Sequence, residues 1–119
     1  MARIRTTIAL LGTGLLGAGM VDNLLANAIK FSPPGSAVEL TLRPGEAALT
    51  ITVEDRGPGV PEAEREAIFA PFHRLQRGSN GAGLGLAIVR EVAEAHGGRA
   101  FVTAREGGGA CFHLVVARG

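Results

Sequence analysis

The sequence predicts an α+β fold: a two-layer sandwich with helices packed on one face of a mainly antiparallel, mixed sheet. Three observations carry that expectation. The pattern segments run helix, hairpin, helix, hairpin, which puts strands beside their sequence neighbours and leaves helices to cover one sheet face. The apolar share is 46% in 119 residues, enough for one core and too short for two domains. Thirteen of the 18 glycines fall in clusters, at 12–19, 57–59, 78–85 and 107–109, as turns or backbone held near a ligand require. A disordered chain would be poorer in Val, Leu and Ile, and collagen would show a three-residue glycine period.

Residues 6–11 are β-branched and apolar and read as a buried strand. A helix follows from Leu15 or Leu16 to Phe31, ended by Ser32-Pro33-Pro34-Gly35. Residues 38–42 and 49–53 alternate across the turn Arg43-Pro44-Gly45-Glu46 and form a hairpin. Residues 55–61 are a glycine-proline loop, 62–68 a short helix opened by Pro61, and 73–82 a polar, mobile loop. Residues 84–96 form a helix with an apolar row Leu84, Ile88 and Val92, flanked by Val89 and Ala93; Gly97-Gly98 cap it. Residues 100–104 and 111–116 are strands joined across Glu106-Gly107-Gly108-Gly109.

Twelve basic and eleven acidic residues give a net charge of +1, without the basic excess of an electrostatic nucleic-acid binder. The single cysteine, Cys111, has no disulfide partner and no zinc spacing, and reads as a small core residue. Arg3 and Arg5 precede an apolar stretch, but it shows no cleavage site and meets Asp22 before reaching the ~18 residues of a membrane span.

Three constellations bear chemistry. Asn23, Asn27 and Lys30, at i, i+4 and i+7, share one helix face; an amide oxygen suits Mg²⁺ and an ammonium suits phosphate, while the plain reading is a solvated face. Asp55 follows a strand and precedes Gly57 and Gly59, so its carboxylate can accept from an amino group on a flat base; alone, it reads as an Asp-Gly turn. Gly81, Gly83 and Gly85 open a helix, where backbone N–H groups favour an anion, though glycine spacing alone says little.

In this order, the segments resemble the ATP-binding catalytic domain of sensor histidine kinases, within the wider gyrase/Hsp90/histidine-kinase/MutL group. Asn23-Leu24-Leu25-Ala26-Asn27-Ala28-Ile29-Lys30-Phe31-Ser32 is similar to the family's N-box. Asp55-Arg56-Gly57-Pro58-Gly59 resembles its first glycine box, Ile68-Phe69-Ala70-Pro71-Phe72 its F-box, and Gly81-Ala82-Gly83-Leu84-Gly85-Leu86 its second glycine box. The resemblance implies a Bergerat-type fold that binds ATP and Mg²⁺. Asn27 would hold the metal, with Asn23 beside it, Lys30 on phosphate and Phe31 near the nucleotide. Asp55 would take the adenine amino group, with Gly57 and Gly59 making room for the ring. Gly81, Gly83, Gly85 and Leu86 would line the phosphate end and hinge a lid over 73–82, where Arg74 and Arg77 would be candidate phosphate partners or else solvated loop charges.

Members that hydrolyse ATP carry a Glu as general base four residues before the metal Asn. Here that position is Asn23, which accepts no proton at neutral pH, so the resemblance implies phosphoryl transfer rather than hydrolysis. His73, His96 and His113 all lie outside the context of a phosphoacceptor, which is expected on a separate domain; a response regulator is the further partner and the cytoplasm the expected location. Residues 21–119 are the expected domain.

Residues 1–20 depart from the family's usual strand and helix start, so the domain is expected to be incomplete at its N-terminus, with an exposed edge open to a second copy. They resemble instead the strand-loop start of a Rossmann domain of the β-hydroxyacid dehydrogenases, through Gly12, Gly14 and Gly17, with Glu39 near the place of a ribose-binding acid. The alternatives are therefore NAD(P) binding or an inactive chimera.

Overall fold

The computed structural model describes residues 3–8, 17–71 and 85–117, the first span and residues 17–20 as backbone only. Helix α1 (Gly17–Phe31) stops where Pro33 and Pro34 remove its next backbone donors. The chain then turns through Pro33–Ser36: the Ser36 N–H donates to the Pro33 carbonyl at 3.1 Å, and Gly35 sits at φ +80°, as the third residue of a type II turn must. Strands β2 (Ala37–Pro44) and β3 (Ala48–Glu54) form the expected hairpin, and β4 (Arg99–Ala104) and β5 (Ala110–Ala117) the second.

The sheet order is β1-β2-β3-β5-β4, with β1 (Arg3–Ile8) parallel to β2 and the other pairs antiparallel. The first strand thus starts earlier than expected and takes the sheet edge; residues 9–11 lie outside those described. It covers the β2 edge, so that edge is not bare.

Helices α1 and α2 (Gly85–Ala95) lie on one face. Leu24 and Ala28 from α1 and Val89 and Ala93 from α2 meet Val38, Leu40, Ile51, Val53, Val102, Phe112, Leu114 and Val116 from the sheet. Strand alternation supplies the sheet's share: every second residue from Ala110 to Val116 of β5 is buried, as are Ile51 and Val53 of β3, with Leu49 partly buried against the core. The side-chain burial also corrects two expectations. Cys111 falls between inward Ala110 and Phe112, so it lies half-buried on the outer sheet face rather than in the core. There burial and hydrogen bonding to the Glu54 carboxylate push its thiol pKa up to about 11. On α2 the buried row is Val89 and Ala93, and Ile88 points out at 46% exposure. A row shifted by one residue turns about 100° round the helix, from the sheet toward solvent.

Residues 62–68 form two 3₁₀ turns, Glu62–Glu64 and Ala67–Phe69, rather than one helix. Ala70 precedes Pro71 and is extended at ψ 145°, because proline disfavours the helical region for the residue before it. At the end of α2, Gly97 N–H donates to Glu94 and Gly98 N–H to Ala93, with Gly97 at φ +73°: a Schellman cap. A side chain on Gly98 would strike the Val115 carbonyl of β5, so glycine is required where the chain passes from helix to sheet.

Candidate functional site

Asn23 and Asn27 stand half-buried on α1 beside its buried Leu24 and Ala28 row, and Lys30 is exposed with its Nζ 5.6 Å from the Phe31 ring centroid. Packing of α1 against α2 brings Asn23 to the start of α2. A Cβ built on Gly85 would lie 3.7 Å from the Asn23 Oδ1. The first and third constellations therefore adjoin, and Leu86 packs against the core just behind them.

The second constellation joins at the other end of α1. A Cβ on Gly57 would come within 2.5 Å of the Phe31 carbonyl oxygen and 3.2 Å of the Asp55 Oδ1. The loop after β3 is thus seated on the C-terminus of α1, and Gly57 admits no side chain. Asp55 is 3% exposed, the one buried charged side chain among the described residues. Its Oδ1 accepts from the Gly57 N–H at 2.9 Å and the Ala110 N–H at 3.3 Å. Among the described residues Oδ2 accepts no hydrogen bond. Burial raises the Asp55 pKa, opposed by those two N–H groups and by the Arg105 charge. A buried carboxylate with one oxygen fixed and one open is built to receive a donor.

The sequence reading missed the β4–β5 turn as a wall of this site. Gly109, at φ +107°, lies so close over the Asp55 backbone that a Cβ would overlap the Asp55 carbonyl, and Gly59 at φ +77° packs against Gly109 in turn. The Asp55 N–H also donates to the Ala110 carbonyl at 2.9 Å. The run Gly107-Gly108-Gly109 was a signal, but turn and close approach look alike in sequence. Arg56 was missed too: its guanidinium donates to the Ala37 carbonyl at 2.7 Å and the Glu39 carboxylate at 3.4 Å. The Ser32 hydroxyl, in the same α1–β2 connection, is buried without a hydrogen-bond partner.

Arg74, Arg77, Gly81, Gly83 and the 73–82 lid lie outside the described residues, as do Phe72 and His73. Among the described residues no cluster of three His, Cys, Asp or Glu forms a metal site; Asn27 offers an amide oxygen, the hard donor that Mg²⁺ accepts alongside waters and phosphate. His113 lies on the outer face, its Nε2 2.8 Å from the Thr103 hydroxyl and its ring stacked on Phe101, and burial lowers its pKa. His96 ends α2, its Nδ1 2.8 Å from the Val92 carbonyl.

A family model described as "Histidine kinase-, DNA gyrase B-, and HSP90-like ATPase" matches residues 18–118. The chain belongs to that family. It is 43% identical over 98 residues to the adaptive-response sensory kinase SasA of Prochlorococcus marinus, covering 79% of this chain and 26% of that one. It is 39% identical over 97 residues to the alginate biosynthesis sensor protein KinB of Pseudomonas aeruginosa, covering 82% and 16%. The chain thus spans about a quarter or less of these relatives. Among solved structures, a mycobacterial sensor histidine kinase, MprB, superimposes with a TM-score of 0.82 at 33% identity, covering 98% of this chain and 81% of that one. Full-length ShkA in complex with AMPPNP gives 0.82 at 33% identity, covering 97% and 25%.

The dehydrogenase resemblance is overturned. β1, α1 and β2 do make one parallel unit, but β2 folds back directly into β3 instead of feeding a second crossover helix. Glu39, the expected ribose acid, is an ion-pair partner of Arg56. Gly12 and Gly14 lie outside the described residues, and Gly17 is the first residue of α1.

Proposed function

We propose that the chain is the ATP-binding catalytic domain of a sensor histidine kinase, which positions ATP and Mg²⁺ for phosphoryl transfer to a histidine on a separate domain. The observation that carries this is Asp55: buried, with Oδ1 held by two backbone N–H groups, Oδ2 accepting no hydrogen bond among the described residues, and Gly57 beside it too close to Phe31 for any side chain. That arrangement fits the amino group and flat edge of adenine.

The residues then divide along α1. Asp55, Gly57 and Gly59 receive the base, with Phe31 near it. Asn23, Asn27 and Lys30 face the phosphates with Gly85 and Leu86, and Asn27 holds Mg²⁺. When bound, Mg²⁺ offsets phosphate charge and orients the transferred group. Arg74, Arg77, Gly81 and Gly83 belong to the proposed lid over 73–82. With Asn23 where a general base would stand, the site orients ATP and does not activate water. The phosphoacceptor domain and a response regulator are the proposed partners, and the cytoplasm the proposed location. No helix among the described residues is long and apolar enough to cross a membrane. The outer edge of β1 offers a strand for pairing with a second copy; light scattering that reports a strict monomer removes that part of the proposal.

Calorimetry tests the core reading. ATP with Mg²⁺ binds the chain, and Asp55→Asn weakens it by about 10- to 100-fold, the cost of setting donor against donor in a buried contact. A folded chain that takes up no ATP overturns it.

A further inference from the structure

We infer that Arg56 is a positioning residue that fixes the spacing between the base end and the phosphate end of the site. The inference rests on the nucleotide reading above. Arg56 stands between Asp55 and Gly57, and its side chain reaches across to β2. There Nη1 donates to the Ala37 carbonyl at 2.7 Å and Nη2 approaches the Glu39 carboxylate at 3.4 Å. Ala37 is the first residue of β2, where the connection from α1 ends. At the start of that connection the Phe31 carbonyl rests on Gly57. The loop that carries Asp55 is therefore tied to both ends of the segment leaving α1, once by close backbone packing and once by the guanidinium.

The consequence follows from what each element carries. Asp55 is on the tied loop, and Asn23, Asn27 and Lys30 are on α1. A ligand that must touch both gains affinity from their fixed separation, because binding one end raises the effective concentration of the other. Loosening the tie spreads the separation without altering either half-site. The ion pair is about one-third exposed on both sides and is screened, so the short bond to the Ala37 carbonyl does most of the fixing. The guanidinium reaches the carbonyl and the carboxylate from two nitrogens held in a fixed fork, whereas a lysine ammonium must serve both from one nitrogen on a shorter side chain, so lysine replaces it in part.

The test compares whole and split ligands on the 119-residue chain. For Arg56→Ala, the expected result is an ATP–Mg²⁺ affinity about tenfold weaker, the size of a modest loss of effective concentration, with adenosine and Mg²⁺-tripolyphosphate each within about twofold of wild type. Arg56→Lys falls between. If Arg56→Ala does not melt cooperatively, Arg56→Met, which keeps the apolar stem and has no donor for Ala37, is measured in its place with the same expected loss. An unchanged ATP affinity overturns the inference, as does a parallel loss for adenosine or tripolyphosphate, which would place Arg56 within one half-site. In both cases the nucleotide reading stands, because wild type still binds ATP and Asp55→Asn still weakens that binding by about 10- to 100-fold. Absence of ATP binding by folded wild type overturns both.

Discussion

Asp55 holds its place against its own desolvation. Its pKa is raised because burial outweighs the Gly57 and Ala110 N–H groups, so the native state binds its proton more tightly than the unfolded chain does. The sign follows: this group's contribution to stability is fully present below the ordinary value of 3.8 and is lost as pH rises through the folded pKa. At neutral pH the buried charge is therefore a cost accepted for binding. Asp55→Asn keeps an oxygen for both N–H donors and removes the charge, so thermal melts at pH 7 should show a raised Tm in the variant that binds ATP more weakly. A lowered Tm would mean that the charge is stabilising and the burial argument wrong. ATP binding to wild type should weaken as pH falls through the raised pKa, since a protonated Oδ2 donates where an amino group needs an acceptor.

Gly109 makes a second residue-scale case. Its φ of +107° strains any side chain, and a Cβ would overlap the Asp55 carbonyl. Gly109→Ala should cost about 2–4 kcal/mol, the sum of backbone strain and overpacking, and should weaken ATP through the displaced Asp55. Denaturation midpoints and calorimetry read the two effects. By contrast Gly108 at φ +112° has open space around its Cβ position, so Gly108→Ala carries the strain alone and spares Asp55.

At the scale of elements, period-2 and period-3.6 patterns located both hairpins and both helices, because each is set by neighbours in sequence. What those patterns left out depends on contacts across the fold. The parallel β1–β2 pairing, the outward turn of Ile88 and the outer-face position of Cys111 follow from how α2 and β5 seat on the sheet. The motifs named Asp55, Gly57 and Asn23, but their mutual contacts needed Phe31, Gly85 and Ala110, 26 to 62 positions away in the pairs Phe31–Gly57, Asp55–Ala110 and Asn23–Gly85. The core rows give a matched test. Leu114 is fully buried between β3 and β4, so Leu114→Ala should lose about 3 kcal/mol to transfer and cavity terms. Ile88→Ser on exposed α2 should stay within about 1 kcal/mol. Equal losses at the two positions would restore the row through Leu84, Ile88 and Val92.

Across the whole molecule the sheet divides labour between its faces. Helices and the site residues occupy one; Thr52, Phe101, Thr103, Cys111 and His113 occupy the other. His113 is shut behind the sheet, between the Thr52 and Thr103 hydroxyls and against the Phe101 ring. His96 closes the far end of α2 from Gly85, about 16 Å along an 11-residue helix from the Asn23 contact. Direct phosphoryl transfer needs the attacking nitrogen within about 3.5 Å of the reacting atom, and neither ring stands at the sheet face and helix end that carry Asp55 and Asn23. His73 lies outside the described residues. The chain alone, given labelled ATP and Mg²⁺, should therefore bind nucleotide yet gain no acid-labile phosphate and release none above the buffer rate, since Asn23 supplies no base. Adding a phosphoacceptor helix-pair domain from a sensor kinase should move label onto that domain in a reaction that Asp55→Asn slows in step with its loss of ATP. Label retained on His96 or His113 of the isolated chain would overturn the assignment of the acceptor to a separate domain.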